Sequence, residues 1–417
     1  MKPSHIYTEI ENAQDVLRNI VVKTPLERSK RLSEKYHARI YLKREDLQIV
    51  RSYKIRGAYN KILSLSPAQR KKGVVCASAG NHAQGVAFSC SQLKCKGSIY
   101  MPKNTPRQKI NRVIFFGGKW VDVVLVGDTF DEASAIANDY ARVHHKAIIP
   151  PFNDEKVIAG QGTVGLEILA DLNEEVPDYI VVPIGGGGLA SGVSIAIKEK
   201  YPHAAIIGVE PTGAPAMTES LKKKRRVVLE TIDKFVDGAA VKSVGDLTFH
   251  ICSQNIKKMI LVPEGKVCME MIELYQNDGI LTEPAGALSI AALDSIKDGI
   301  RGKTVVCVVS GSNNDISRYS EILERSLIYQ GLKHYFLINF PQRPGALRSY
   351  LDDVLKNGTD ITLFEYIKKS NRETGPALVG LELTKKEDLK PLLKRMDDLG
   401  FTYEVISPES PLFRFVQ

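Results

Sequence analysis

From residue 39 to about residue 320, short apolar runs rich in β-branched residues alternate with longer stretches whose apolar positions recur every three or four residues. RIYLKR (39–44), VVCA (74–77), GSIYMP (97–102) and WVDVVLV (120–126) predict strands. KAIIP (146–150), YIVVPI (179–184), AAIIGVE (204–210) and TVVCVVS (304–310) continue the series. Between them, NTPRQKINRVIFFGGKW and GTFDEASAIANDYARVHHK predict amphipathic helices, the first stopped by Gly117 and Gly118. Strands alternating with helices of this length imply an α/β domain of parallel sheets covered on both faces. After about residue 325 the order becomes strand, Pro-Gly turn, helix, strand, strand, helix, strand. That βαββαβ order predicts a separate ferredoxin-like α+β domain over 326–417, behind a larger domain over 1–325. The helical piece SRYSEILERSLIYQG reads as the connection.

A chain of 417 residues is long enough for two or three such domains. A net charge of +9 raises the question of a polyanion partner, yet the densest basic run, Lys222 to Arg226, is short and carries no aromatics. A solvated loop explains it, and no nucleic-acid partner is expected. The six cysteines are scattered through apolar stretches without a CxxC pair, which predicts buried free thiols. The opening MKPSHIYTEIENAQDVL lacks a signal-peptide core and no apolar run approaches transmembrane length, so a cytoplasmic protein without a membrane partner is expected.

Three stretches carry candidate chemistry. In VRSYKIRGAY, Ser52 is placed to cap a helix in which Tyr53, Ala58 and Ile62 share a side. Lys54 and Arg56 then add positive charge where the helix dipole is already positive. That placement suits an amine kept easy to deprotonate, or charge supplied to an anion. In IVVPIGGGGLASG, an apolar strand runs through Gly185, Gly186, Gly187 and Gly188 into a helix. Such a loop turns backbone N–H groups on an anion, and a tight turn alone would need one or two glycines. The same residues fit the dinucleotide pattern GxGxxA, with Glu210 ending the next strand where a ribose-binding acid belongs, so a nicotinamide-dependent dehydrogenase is an alternative here. In VVCASAGNHAQG, Ser78, Gly80, Asn81 and His82 lie between a strand and a helix. Without cationic side chains, this turn is sized for a carboxylate; the plainer reading is a helix cap supplied by Asn81 or Ser78. His82 alone reads as structural.

Together, in this order and spacing, the lysine of SxK, the SAGNHAQG turn and the tetraglycine loop resemble the fold type II pyridoxal-phosphate enzymes, and EPAGA (283–287) and SGSNND (310–315) extend the match. Within them the chain is similar to threonine dehydratases of the short biosynthetic form, with one ACT-like domain at the C-terminal end. The resemblance implies that Lys54 carries pyridoxal 5′-phosphate as a Schiff base and then acts as general base, a role suited by a pKa lowered through nearby positive charge and desolvation. Asn81 matches the residue that bonds the pyridoxal 3′-oxygen. Gly185 to Gly188 with Leu189 match the phosphate loop, and Ser310 matches the partner of the pyridine nitrogen. Ser78, Gly80 and His82 lie in the turn that holds the substrate carboxylate. It also implies a smaller lobe over about 52–150, a homotetramer, threonine (or serine) as substrate, and isoleucine or valine as effector. Serine dehydratases and racemases share most of these residues. Tyr53 stands where many relatives have phenylalanine, and Ser312 where glycine is frequent. Ala216 replaces the acid of divalent-binding relatives, so no metal is expected.

Overall fold

The computed structural model describes residues 3–355, 358–366, 373–407 and 410–415. It divides into two compact units, 1–315 and 316–417. The first holds two sheets. Six strands run in the order Leu26–Arg28, Arg39–Arg44, Thr304–Val309, Tyr179–Pro183, Ala205–Pro211, Ile256–Val262, parallel except for the first pair. Four parallel strands run Val121–Leu125, Gly97–Met101, Val74–Ala77, Ala147–Ile148. The central strand Thr304–Val309 is buried along its whole length, as its unbroken β-branched run requires. Leu26–Arg28 and Ile256–Val262 escaped the sequence reading. The first is only three residues long, and the second follows the helix Asp246–Asn255 without a turn signal.

The helices Lys54–Ser64, Glu155–Asp171 and Gly188–Lys200 pack with their backbones almost touching. A Cβ added to Gly160 would lie 2.5 Å from the Arg56 carbonyl oxygen, and one on Gly192 would lie 2.4 Å from that of Ile158. Only glycine admits this approach.

Where these helices meet the large sheet, four charged side chains are buried together. All five N–H groups of Arg56 are used: Nε and Nη2 donate to Glu45 at 2.8 and 2.7 Å, Nη1 and Nη2 to Glu167 at 2.6 and 2.9 Å, and Nη1 to Thr163 Oγ1 at 3.1 Å. Lys43 Nζ donates to Glu167 at 2.7 Å and to the Thr24 carbonyl at 2.6 Å. Burial alone would raise the Glu45 carboxyl, and Arg56 reverses this and holds it below the ordinary range.

The second unit is the βαββαβ order seen in the sequence. Its antiparallel sheet runs Thr359–Tyr366, Thr374–Leu383, Lys333–Pro341, Thr402–Ile406. Phe336, Ile338 and Phe340 project to one face, onto Tyr350, Leu392 and Met396. Tyr335 and Leu337 alternate to the other face, where Ile328 and Phe413 cover them. Ile328 belongs to the helix Tyr319–Gln330, so this helix is an integral layer of the unit rather than a connection. The division therefore falls ten residues before the break drawn from the sequence pattern. All six cysteines are free and buried. Among the described residues, no helix is long and apolar enough to cross a membrane.

Arg56→Ala leaves two carboxylates buried without their main partner. We expect it to cost about 3–5 kcal/mol in urea unfolding followed by the fluorescence of Trp120, the single tryptophan. Arg56→Lys, lacking the planar fork, should recover only part of the loss.

Candidate active site

Lys54 opens the helix Lys54–Ser64. The cap expected from Ser52 does not form. Tyr53 takes the cap position without a side-chain bond, while Ser52 forms a backbone bridge with Gly311 and its buried Oγ has no protein partner. The segment is held by Gly311 and by Tyr53 N–H donating to the Ser310 carbonyl at 3.3 Å, which turns Ser52 away from the helix start. Lys54 Nζ donates to the Pro151 carbonyl at 2.8 Å and lies 5.3 Å from the Tyr53 ring centre. Burial lowers its pKa to about 8, against the carboxyl of Glu283, which pulls it up. The sequence reading gave two causes, neighbouring positive charge and desolvation. The structure keeps desolvation and removes the charge effect, since Arg56 is neutralised by Glu45 and Glu167.

The residue after Pro151 reaches the glycine loop. A Cβ on Gly186 would lie 2.1 Å from the Phe152 ring, and one on Gly188 2.9 Å from Phe152 Cβ. Gly187 adopts the left-handed region at φ 92°. Gly185 packs on Ala239, whose Cα an added Cβ would meet at 3.0 Å. Gly188 and buried Leu189 begin the thirteen-residue helix Gly188–Lys200, whose first amides have no carbonyl partner within it. Ser310 ends the central strand region, and its Oγ donates to the Ala285 carbonyl at 3.3 Å.

In the asparagine turn neither proposed side chain caps. The cap residue is Gly80, Asn81 is the first helical residue, and Ser78 Oγ accepts from Gly80 N–H at 3.3 Å. Asn81 is drawn elsewhere: its Nδ2 donates to Glu283 Oε1 at 2.6 Å and its Oδ1 accepts from Asn313 Nδ2 at 2.7 Å. His82 Nε2 meets the Ile149 carbonyl at 2.8 Å, and burial lowers its pKa to about 3, so it is a neutral imidazole. Lys54, Asn81, Glu283 and Ser310, from four distant segments, thus share one region. Gly85, one turn after Asn81, packs against the Lys54 carbonyl.

Sequence reading quoted the motifs that contain Glu283 and Asn313 without giving either a role, and passed over Phe152. A Glu before a Pro at a helix start looks like a cap, yet Glu283 makes no capping bond. Its carboxyl is pushed up to about 7 by burial and then by Asp237. Phe152 carried no signal at all.

With this geometry in hand, the relatives are informative. A family model described as "Pyridoxal-phosphate dependent enzyme" matches residues 17–311, and one described as "C-terminal regulatory domain of Threonine dehydratase" matches 324–416. The biosynthetic L-threonine dehydratase IlvA of Halalkalibacterium halodurans is 54% identical over 404 residues, 97% of each chain. That of Bacillus subtilis is 52% identical over 412 residues, 99% of this chain and 96% of the relative. The chain belongs to the pyridoxal-phosphate-dependent threonine dehydratases. Among solved structures, the processed form of threonine deaminase isoform 2 from Solanum lycopersicum matches with a TM-score of 0.74 and 38% identity, covering 78% of this chain and 94% of that one. Maize serine racemase matches at 0.71 and 30%, covering 77% and 98%.

The residues fit the cofactor this family uses. A half-buried amine of lowered pKa suits a carbonyl carbon, a glycine cradle too narrow for any Cβ suits a phosphate, and Ser310 offers a neutral hydroxyl. The dinucleotide alternative loses its acid. Glu210 is buried and its carboxyl accepts from the Met217 and Thr218 amides and from Thr218 Oγ1, at 2.7, 2.8 and 2.6 Å. It anchors the helix Ala216–Lys222 and has no reach to a ribose. Among the described residues, no group of three or more His, Cys, Asp or Glu is placed to hold a metal ion.

Gly186→Ala forces Phe152 to move, and we expect it to cost about 1–3 kcal/mol in thermal unfolding. Gly80→Ala, where an added Cβ meets nothing within 4 Å, should stay within about 0.5 kcal/mol of the parent.

Proposed function

We propose that this threonine dehydratase removes ammonia from L-threonine to give 2-oxobutanoate, with Lys54 as the residue that holds pyridoxal phosphate and then takes the α-proton. The observation that carries the reading is the Lys54 amine, half-buried, lowered to about 8 and grouped with Asn81 and Ser310. The substrate follows from the full-length likeness to biosynthetic L-threonine dehydratases.

Bound pyridoxal phosphate supplies an electron-withdrawing ring that accepts the charge released at Cα. The chain does the rest. Gly185 to Gly188 and Leu189 would seat the phosphate through backbone N–H groups, Asn81 would donate to the ring oxygen, and Ser310 would face the ring nitrogen. Ser310 would offer that nitrogen a neutral hydroxyl rather than a charge. The turn with Ser78, Gly80 and His82 would receive the substrate carboxylate through backbone amides, since His82 is neutral. Lys54 Nζ would accept the α-proton. With a pKa near 8, roughly a tenth of it is neutral at pH 7, against well under a thousandth for an ordinary lysine. The separate four-stranded sheet supports a smaller lobe over about 52–150. The homotetramer rests on family resemblance, and the cytoplasmic location on the sequence pattern.

The purified chain should show an absorbance band on taking up pyridoxal phosphate, absent from Lys54→Ala. The uptake rate should climb with pH through about 8, because the neutral amine is the reacting form. A colourless wild type, or a midpoint near the ordinary lysine value, would sink the assignment.

The same proposal makes the second unit a sensor for a branched-chain amino acid, isoleucine first and valine second. Its support is the match to a regulatory domain and the turn at Gly345, held at φ 86°, with half-exposed Leu347 just behind it. Isoleucine can regulate only by binding the less active arrangement more tightly. We expect isoleucine to lower threonine turnover in the full chain and to leave a chain ending at Asp315 unaffected. Calorimetry that detects no isoleucine binding would leave the unit an assembly module.

A further inference from the structure

A carboxylate that no part of the proposed chemistry uses lies against Asn81. Glu283 is 4% exposed, and glycines at 238 and 311 press on it: an added Cβ would come within 3.2 and 2.7 Å of its Oε1. The hydrogen bonds around it form a directed sequence. The Val50 carbonyl can only accept, so the Asn313 side-chain atom 2.8 Å away is its nitrogen. That same nitrogen lies 2.7 Å from Asn81, which must present its oxygen there. The Asn81 nitrogen is thereby turned to Glu283 Oε1 at 2.6 Å, and the other carboxyl oxygen accepts from Asn313 N–H at 3.2 Å. Every partner in this sequence has a fixed donor or acceptor sense, so the amide of Asn81 has one orientation. An amide nitrogen has two N–H groups, and Glu283 takes one.

We propose that Glu283 is a positioning residue: it holds the amide of Asn81 so that the second Nδ2–H is free to donate to an oxygen of the bound ligand. This rests on reading the pocket as the pyridoxal-phosphate site, where the acceptor is the ring oxygen. Without Glu283, one N–H of a half-buried amide loses its acceptor and the amide is free to turn away from the ligand.

A double-mutant cycle read by pyridoxal-phosphate titration tests this. Glu283→Leu, which fills the volume without an acceptor, should weaken binding roughly ten- to a hundred-fold, the range for a hydrogen bond to a charged group. It should also move the absorption maximum of the bound form. Asn81→Ala should weaken binding to a similar extent, and adding Glu283→Leu to it should change nothing further. Glu283→Gln, whose carbonyl oxygen still accepts from Asn81, should bind within about three-fold of wild type, since the acceptor facing the amide is kept. Additive losses, or equal binding by Glu283→Leu and wild type, overturn the inference alone. A wild type that takes up no pyridoxal phosphate overturns the pocket reading and this inference with it. Should Glu283→Leu not fold, Glu283→Met, unbranched and of similar length, replaces it in the cycle.

Discussion

The site depends on keeping an amine out of water without letting the surrounding helix move. Lys54 and Arg56 stand two residues apart at one helix start, roughly 200° around the axis, so they serve opposite sides. Arg56 is locked by two carboxylates and a threonine, with every donor used. Such a cluster adds little net stability, because desolvating four charges costs about what their attraction returns. What it contributes is direction. A fork with five fixed donors admits one placement of the helix, and that placement carries Lys54 to the Pro151 carbonyl. Gly160 then lets the helix Glu155–Asp171 press on the Arg56 backbone, so the first turn is fixed by charge and by contact together.

The order of elements was legible because burial on both sheet faces imposes continuous apolar runs, and Arg39–Arg44, Val74–Ala77 and Thr304–Val309 carry that pattern unbroken. Both catalytic-type loops were legible as well, since glycine in fours and small polar residues before a helix have few uses. Capping was misjudged twice for one reason. Ser52 and Asn81 have side chains of capping type, yet each sits where tertiary partners outbid the helix: a backbone bridge to Gly311 for one, Glu283 and Asn313 for the other. Local propensity could not reveal partners more than two hundred residues away. The same distance hid Glu283, which becomes meaningful only once Asn81 faces it.

The lowered Lys54 pKa was expected from two causes, and the structure retains only one of them. Two basic residues near a helix start suggest repulsion, and repulsion would lower the amine. The structure cancels that repulsion by pairing Arg56 and leaves burial, opposed by the Glu283 carboxyl. The difference matters for how the site responds to its surroundings. Charge repulsion between partly exposed groups is screened by salt, whereas desolvation of an enclosed amine is not. A site tuned by burial keeps its nucleophile at changing ionic strength.

The second unit follows a different logic, because its sheet is covered on both faces by its own helices and tail. Phe336, Ile338 and Phe340 face one core, and Tyr335 and Leu337 face another that includes Ile328 of the helix Tyr319–Gln330. A half-sheet exposed on one face would need a partner to be stable; this one brings its own. The helix that looked like a linker is therefore part of the fold it leads into. Any signal leaving this unit along the chain must pass through residues before Tyr319, where SGSNND also supplies Ser310 and Asn313 to the site. A displacement of that segment would reach Asn81 through a single hydrogen bond, from Asn313 Nδ2 to Asn81 Oδ1. Five residues of chain, 314–318, separate Asn313 from the helix Tyr319–Gln330.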